Sequence, residues 1–173
     1  MSDFLNVDDI LTHLNLKDTM LACEFGCGSA DFTMALAKKL SKGKVYAMDI
    51  QEEKLSALQS KLTLAKLNNV VMVLCDLEAP SGSTLPDNYL DVVLIPNMLF
   101  QTQNKYDIIK EGQRILKSGG QLLIVDWLKA GPFSPREGMV SPSQIKEIAK
   151  DLGLFFRKEL ASGDYHYALL FVK

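Results

Sequence analysis

Basic residues, cysteine, histidine and long apolar runs are all in short supply in this chain, and each shortage removes a class of function. Nineteen lysines and arginines stand against 21 acids, a net charge of −2 with a pI near 5.7. A protein that grips nucleic acid along its surface normally carries a basic face, so nucleic acid is not an expected partner. The start Met1-Ser2-Asp3-Phe4 has neither the basic residues nor the apolar stretch of a secretory leader. No apolar run reaches the roughly 18 residues of a membrane span. Three cysteines, Cys23, Cys27 and Cys75, are odd in number and fall on or beside predicted strands. They predict reduced thiols in a cytoplasmic protein. Cys23 and Cys27 have no histidine or further cysteine near them in sequence, so no metal is expected. Only His13 and His166 offer an imidazole as general base, and each reads as structural or solvated.

What the chain does have is alternation. Its 173 residues suit one domain, residues 1–173, with a substantial core. Apolar runs at 20–25, 45–50, 70–75, 90–95 and 121–127 read as buried parallel strands, being nearly continuous in apolar residues. Helices are expected at 7–16, 30–40, 52–67, 106–116 and 141–152. Ser29 is the expected cap of the second helix. Leu55, Leu58, Leu62 and Ala65 share the buried face of the third. Ser141-Pro142-Ser143-Gln144 is a capping box with proline at the first helical position. Residues 154–160 and 165–172 form an antiparallel hairpin. The pattern is an α/β, doubly wound sheet. Loops at 78–88 and 131–138 are the stretches spare enough to carry substrate specificity.

In such sheets ligands lie outside the carboxyl ends of the strands. That edge gathers Glu24, Gly26, Gly28, Asp49, Asp76, Pro96 and Asn97. Glycines at 26 and 28 allow a sharp turn and a close approach to a ligand. Asp49, at the tip of the next strand about twenty residues on, is placed to accept from ribose hydroxyls. A dinucleotide site would show G-x-G-x-x-G, with a pyrophosphate on the helix N-terminus. Here Asp31 takes the place of the third glycine, and Glu24 adds a second negative charge. A nucleoside-bearing cation without phosphate fits better, and S-adenosylmethionine is such a molecule. Tyr106-Asp107-Ile108-Ile109-Lys110 matches the Y-x-x-x-K of short-chain dehydrogenases, but their other motifs are missing, and Tyr106 with Ile109 fits a buried helix face.

The chain resembles the class I S-adenosylmethionine-dependent methyltransferases, and among them the small-molecule methylases related to quinone-biosynthesis C-methylases. Glu24-Phe25-Gly26-Cys27-Gly28-Ser29-Ala30 is similar to the first family motif, with Ala30 for its last glycine. Tyr46-Ala47-Met48-Asp49-Ile50 is similar to the ribose-binding motif, and Leu74-Cys75-Asp76-Leu77 to the adenine-binding one. Arg114-Ile115-Leu116-Lys117-Ser118-Gly119-Gly120 is similar to the turn before the fifth strand, with Ser118 for proline. The resemblance implies a Rossmann-like, seven-stranded, mostly parallel sheet of order 3-2-1-4-5-7-6 with an antiparallel C-terminal strand. It also adds Cys27, Ile50 and Leu77 to the cofactor-binding set, and it implies methyl transfer with S-adenosylhomocysteine as product.

No general base is assigned. Asn97 is the candidate for a direct part in the chemistry, placed either to orient a polar substrate or to contact the methionine end of the cofactor. Pro96-Asn97 is not the N-P-P-Y of nucleic-acid amino methylases. Trp127 reads as pocket wall or core packing, and Arg136 as a binder of an anionic substrate group or a solvated loop residue. Two other functions remain at this point: a cofactor-binding but non-catalytic partner or sensor, and an NAD(P)-dependent oxidoreductase, which Asp31 and Glu24 disfavour. The methyl acceptor and the oligomeric state are not legible in the sequence.

Overall fold

The apolar runs become the strands of one seven-stranded sheet, in a computed structural model that describes residues 5–131 and 133–173. The Met1-Ser2-Asp3-Phe4 start and Pro132 of the second loop lie outside the described residues. The strands are β1 (Leu21–Phe25), β2 (Lys44–Asp49), β3 (Val70–Leu74), β4 (Leu90–Pro96), β5 (Leu116–Trp127), β6 (Phe155–Leu160) and β7 (His166–Val172). Between them run α1 (Val7–Thr12), α2 (Asp31–Lys39), α3 (Glu52–Ala65), α4 (Lys105–Ile115) and α5 (Pro142–Asp151). The order is β3-β2-β1-β4-β5-β7-β6, with β7 antiparallel to both of its neighbours.

Side chains alternate across the sheet and so build a core on each face. Phe25, Met48, Val93, Ile95, Ile124, Leu169 and Phe171 pack with Ile108 and Ile109 of α4 and Ile145 of α5. Ala22, Val45, Leu94, Leu123 and Leu170 point the other way, onto Leu11 of α1 and Leu36 of α2. Leu55, Leu58 and Leu62 of α3 close over Ala47, Cys27 and Ala30 beside that second layer. The helices are set by ordinary signals. Ser141 and Gln144 make the reciprocal capping box at the head of α5. Asn6 accepts from the Asp9 amide at 3.1 Å to start α1.

Several local expectations give way to tertiary structure. Ala30, not Ser29, caps α2, with φ of 68° and no side-chain cap bond. The chain must pass through the left-handed region there to reverse, so the Ser29 hydroxyl donates instead to Asp31 at 2.7 Å. The α1 helix ends at Thr12 rather than residue 16, and Ala65, at the end of α3, is exposed. Tyr106 is 45% exposed, so only Ile109 of that pair is core. Pro96 belongs to β4, one residue beyond the expected run 90–95, and β5 begins at Leu116, ahead of Gly119-Gly120. β3 and β6 are the sheet's edges: β3 is only half covered, and all of β6 but Leu160 is exposed. Apolar continuity along a strand does not reveal where a sheet stops.

Candidate functional site

A cavity of about 740 Å³ opens at the carboxyl edge of the parallel strands. Glu24, Gly26, Cys27, Gly28, Asp49, Ile50, Asp76, Leu77, Pro96, Asn97 and Trp127, all expected near a ligand, line it together. Arg136 does not. It lies exposed in a segment pinned at both ends. A side chain at Gly131 would strike the Tyr165 ring, and one at Gly138 would strike the Phe100 carbonyl. That loop lends nothing to the cavity wall among the described residues, and loop 78–88 lends only Glu78. Loop 78–88 is fastened to α4 instead. Arg114 grips both carboxylate oxygens of Glu111 at 2.7 and 2.8 Å and donates to the Leu85 carbonyl at 2.9 Å, while Glu111 accepts from the Ser83 amide at 3.0 Å.

The turn after β1 is tied to the tip of β2. The Cys27 amide donates to the Met48 carbonyl at 2.9 Å, and the Gly28 amide to Oδ2 of Asp49 at 3.2 Å. Oδ1 of Asp49 accepts from the Gln51 amide at 3.0 Å. Gly26, Gly28 and Ala30 all have positive φ. Oδ1 of Asp49, with a single donor, retains lone-pair capacity. The Cys27 thiol donates to Asp49 at 3.8 Å. Burial, reinforced by the Asp49 and Glu24 carboxylates, pushes this thiol up to about 12, so it stays protonated. It is a donor, not a nucleophile.

Glu24, at the end of β1, is 3% exposed and accepts the Thr33 hydroxyl of α2. Burial pushes its carboxyl up to about 8, partly opposed by the Thr33 bonds and assisted by Asp31 and Asp49. Asp76 is exposed at the cavity rim and accepts from the Glu78 amide at 2.9 Å. Five acids (Glu24, Asp31, Asp49, Asp76, Glu78) against one lysine, Lys54, line the cavity among the described residues. None of Glu24, Asp49 and Asp76 stands in an ion pair there. Such a wall favours a cation and repels a diphosphate. No three described histidines, cysteines or acids are grouped to hold a metal ion.

Across the cavity, Asn97 follows β4 in the left-handed region, φ 48°, with its amide bonded to the Val125 carbonyl at 2.7 Å. Its Oδ1 is buried and bonded to nothing. Trp127, half-buried at the end of β5, stacks on His166 with ring centroids 4.2 Å apart and planes 36° apart. His166 belongs to the cavity wall, contrary to the expectation of a merely structural or solvated ring. The signal lay in the hairpin. Because β7 runs backward, its first residue pairs with Trp127, the last of β5, and so reaches the carboxyl edge. Met98 and Gln101 also line the cavity without having been expected there.

A family model described as a methyltransferase domain matches residues 16–152. The demethylmenaquinone methyltransferase of Geobacillus stearothermophilus is 32% identical over 117 residues, 65% of this chain and 47% of that protein. Its counterpart from Listeria monocytogenes serotype 4a (strain HCC23) is 31% identical over 134 residues, 76% of this chain and 54% of that protein. This chain spans about half the length of these relatives. Among solved structures, a SAM dependent methyltransferase from Aquifex aeolicus superposes with a TM-score of 0.86 at 24% identity, covering 98% of this chain and 90% of that one. At that identity the likeness is one of fold.

Proposed function

This chain belongs to the family of methyltransferase domains, and from that premise we propose that it acts as one domain that transfers a methyl group from S-adenosylmethionine to a small-molecule acceptor. The observation that carries this reading is the unpaired acid trio Glu24, Asp49 and Asp76 around one cavity. The cofactor offers an ammonium, a sulfonium, two ribose hydroxyls and an adenine amine, and no phosphate. Asp49 would accept from the ribose hydroxyls, and Asp76 at the rim from the adenine amine. Ile50, 65% exposed beside Asp49, and buried Leu77 supply apolar surface for the adenine faces. Glu24 and the open backbone at Gly26 and Gly28 suit the amino-acid end. Pro96 and Asn97 close the methyl side.

The bound cofactor would supply a methyl group on positively charged sulfur, poised for displacement. The protein's own part is then largely positional. Gly28 and Asp49 fix one end of the cofactor pocket, Asn97 the other, and an acceptor held against the methyl in line reacts without much further help. Trp127 forms a flat aromatic wall where the acceptor would lie. That wall, with the activity for which the two bacterial relatives are named, favours a planar, quinone-like or otherwise aromatic acceptor. The free thiols of Cys23, Cys27 and Cys75 suit a reducing, cytoplasmic setting.

Calorimetric titration with S-adenosylmethionine, S-adenosylhomocysteine and NAD tests the cofactor. The reading expects both adenosyl compounds to bind and NAD not to. Binding of NAD alone overturns it. Isotopic methyl transfer to a panel of hydroxyaromatic metabolites tests the catalysis, and binding without any turnover would leave a non-catalytic binding protein.

A further inference from the structure

We propose that His166 is a catalytic residue, the proton acceptor for the methyl acceptor, and that the acceptor is a planar molecule bearing an ionisable hydroxyl. The inference rests on the methyltransferase reading and adds to it a base and a substrate class. Its starting point is that the imidazole is 6% exposed, lines the cavity, and leaves both Nδ1 and Nε2 without a hydrogen-bond partner. A neutral imidazole has one donor and one acceptor nitrogen, and both are costly to leave unmade in a buried place. A leucine would fill a core position without that cost.

A second orphan stands nearby on the same wall. Asn97 Oδ1 is likewise buried and unbonded. β4, β5 and β7 are consecutive in the sheet, so Asn97, Trp127 and His166 lie side by side along its carboxyl edge. Three adjacent strand ends thus present an amide oxygen, an indole face and an imidazole, with two unmet polar groups among them. A ligand that is flat and carries a hydroxyl satisfies this set. Its ring takes the stacking place of the indole, and its hydroxyl donates to the imidazole nitrogen. On this proposal Trp127, half-buried and stacked on His166, turns aside for the hydroxyl to reach the imidazole.

The ring is in the right state to act. Burial, with no charged neighbour contributing, holds the His166 pKa below its ordinary value, so the imidazole is neutral near pH 7. Among the charged groups on neighbouring elements, the Lys129 ammonium lies over the Tyr165 ring, 5.4 Å from its centre. Asp126 of β5 accepts from the Phe100 and Trp127 amides. Asp164 is exposed in the hairpin turn, and Glu24 and Asp31 line other parts of the cavity. In the step itself, the acceptor's O–H proton moves to the imidazole nitrogen and the electron pair of that bond stays on oxygen. The oxygen becomes a stronger nucleophile, or passes the charge to a ring carbon. The proton leaves afterwards to water.

The chain has only two histidines, so imidazole NMR resolves His166 from His13, with His13→Gln making the assignment. The probe is 2-naphthol, added to protein saturated with S-adenosylhomocysteine. Expected are a shift of the His166 ring nitrogens on binding and a loss of about tenfold in 2-naphthol affinity in His166→Gln, with S-adenosylhomocysteine affinity unchanged. That unchanged affinity also shows the variant to be folded. With a turned-over hydroxyaromatic, kcat should fall about 100-fold or more in His166→Gln, and the acid limb of the wild-type pH profile should vanish. Failure of 2-naphthol to bind, unmoved His166 signals, or a wild-type pH profile in His166→Gln overturns the proposal. Failure of S-adenosylhomocysteine to bind the wild-type chain overturns the underlying reading instead.

Discussion

The Gly28 amide donates to Oδ2 of Asp49 across 3.2 Å, so the turn after the first strand and the tip of the second are one unit. Asp49 therefore holds that turn, and in the proposed function it also accepts from ribose. Asp49→Ala should weaken S-adenosylhomocysteine binding by about 1–3 kcal/mol, since it strands hydroxyl donors in the site. Asp49→Asn, which keeps an acceptor oxygen, should lose less. Calorimetry on both variants decides it, and wild-type affinity in Asp49→Ala would remove the residue from the site.

In the proposed function Glu24 links proton and cofactor binding. Its folded-state pKa, up to about 8 from an ordinary 4.5, means that the folded protein keeps a proton which the unfolded chain releases. Its contribution to stability is thus full below about pH 4.5 and lost as pH rises toward 8. A cationic ligand favours the ionised form, so binding near pH 7 should release up to about one proton. Affinity should rise with pH and level off above the Glu24 pKa. Titrations in buffers of different ionisation heat measure the release. Glu24→Gln should abolish it and flatten the alkaline loss of stability. If wild type and variant release the same number of protons, Glu24 does not face the cation.

The contrast between Asp49 and His166 explains what could be read in advance. Asp49 closes an apolar run at a fixed distance past a glycine turn, so local pattern places it at the strand tip. The α5 cap and the hairpin were legible for the same reason. His166 owes its position to a strand pairing more than 35 residues away, with Trp127, and no local period encodes that. Arg136 is absent from the described cavity wall, and the path of its loop has no local signal: Gly131 and Gly138 are pressed against Tyr165 and Phe100, contacts made only in the folded chain. Ser29 looks like a cap until the backbone has to turn left-handed at Ala30. The same φ gives a reason for glycine in the related motif, with alanine tolerated here.

Arg114 is the fastening of loop 78–88, through Glu111, Leu85 and Asp87. Burial would raise the Glu111 carboxyl. The Arg114 and Ser83 hydrogen bonds more than offset it and hold Glu111 below its ordinary value. The lowered pKa means stability present above the unfolded value near 4.5 and lost as pH falls below it. Arg114→Met leaves a carboxylate that is 5% exposed without its cation, and should cost roughly 3 kcal/mol in urea unfolding at pH 7. Glu111→Gln in the same background should recover part of the loss. A cost under about 1 kcal/mol would mean that the bridge behaves as a surface pair.

Gly26 is where backbone and ligand requirements separate. Its φ is +69°, and a Cβ there would meet only Met98, at 3.5 Å or more, which is ordinary contact. The protein itself therefore has room for a side chain. What a substitution costs the fold is the left-handed backbone, about 1–2 kcal/mol for an L residue and more for a β-branched one. In a chain of this size each kcal/mol corresponds to a fall of roughly 2–4 °C in Tm. Gly26 and Met98 both line the cavity, however, so in the proposed function a Cβ there stands where the cofactor would approach. Gly26→Ala should thus show the backbone cost with a moderate loss of S-adenosylhomocysteine affinity. Gly26→Val should add to that a loss of binding well beyond its loss of Tm. Measuring Tm and Kd on both variants separates the two effects. If Gly26→Val is destabilised yet binds like the wild type, the turn is strained for the sake of the fold alone, and the cofactor does not rest against it.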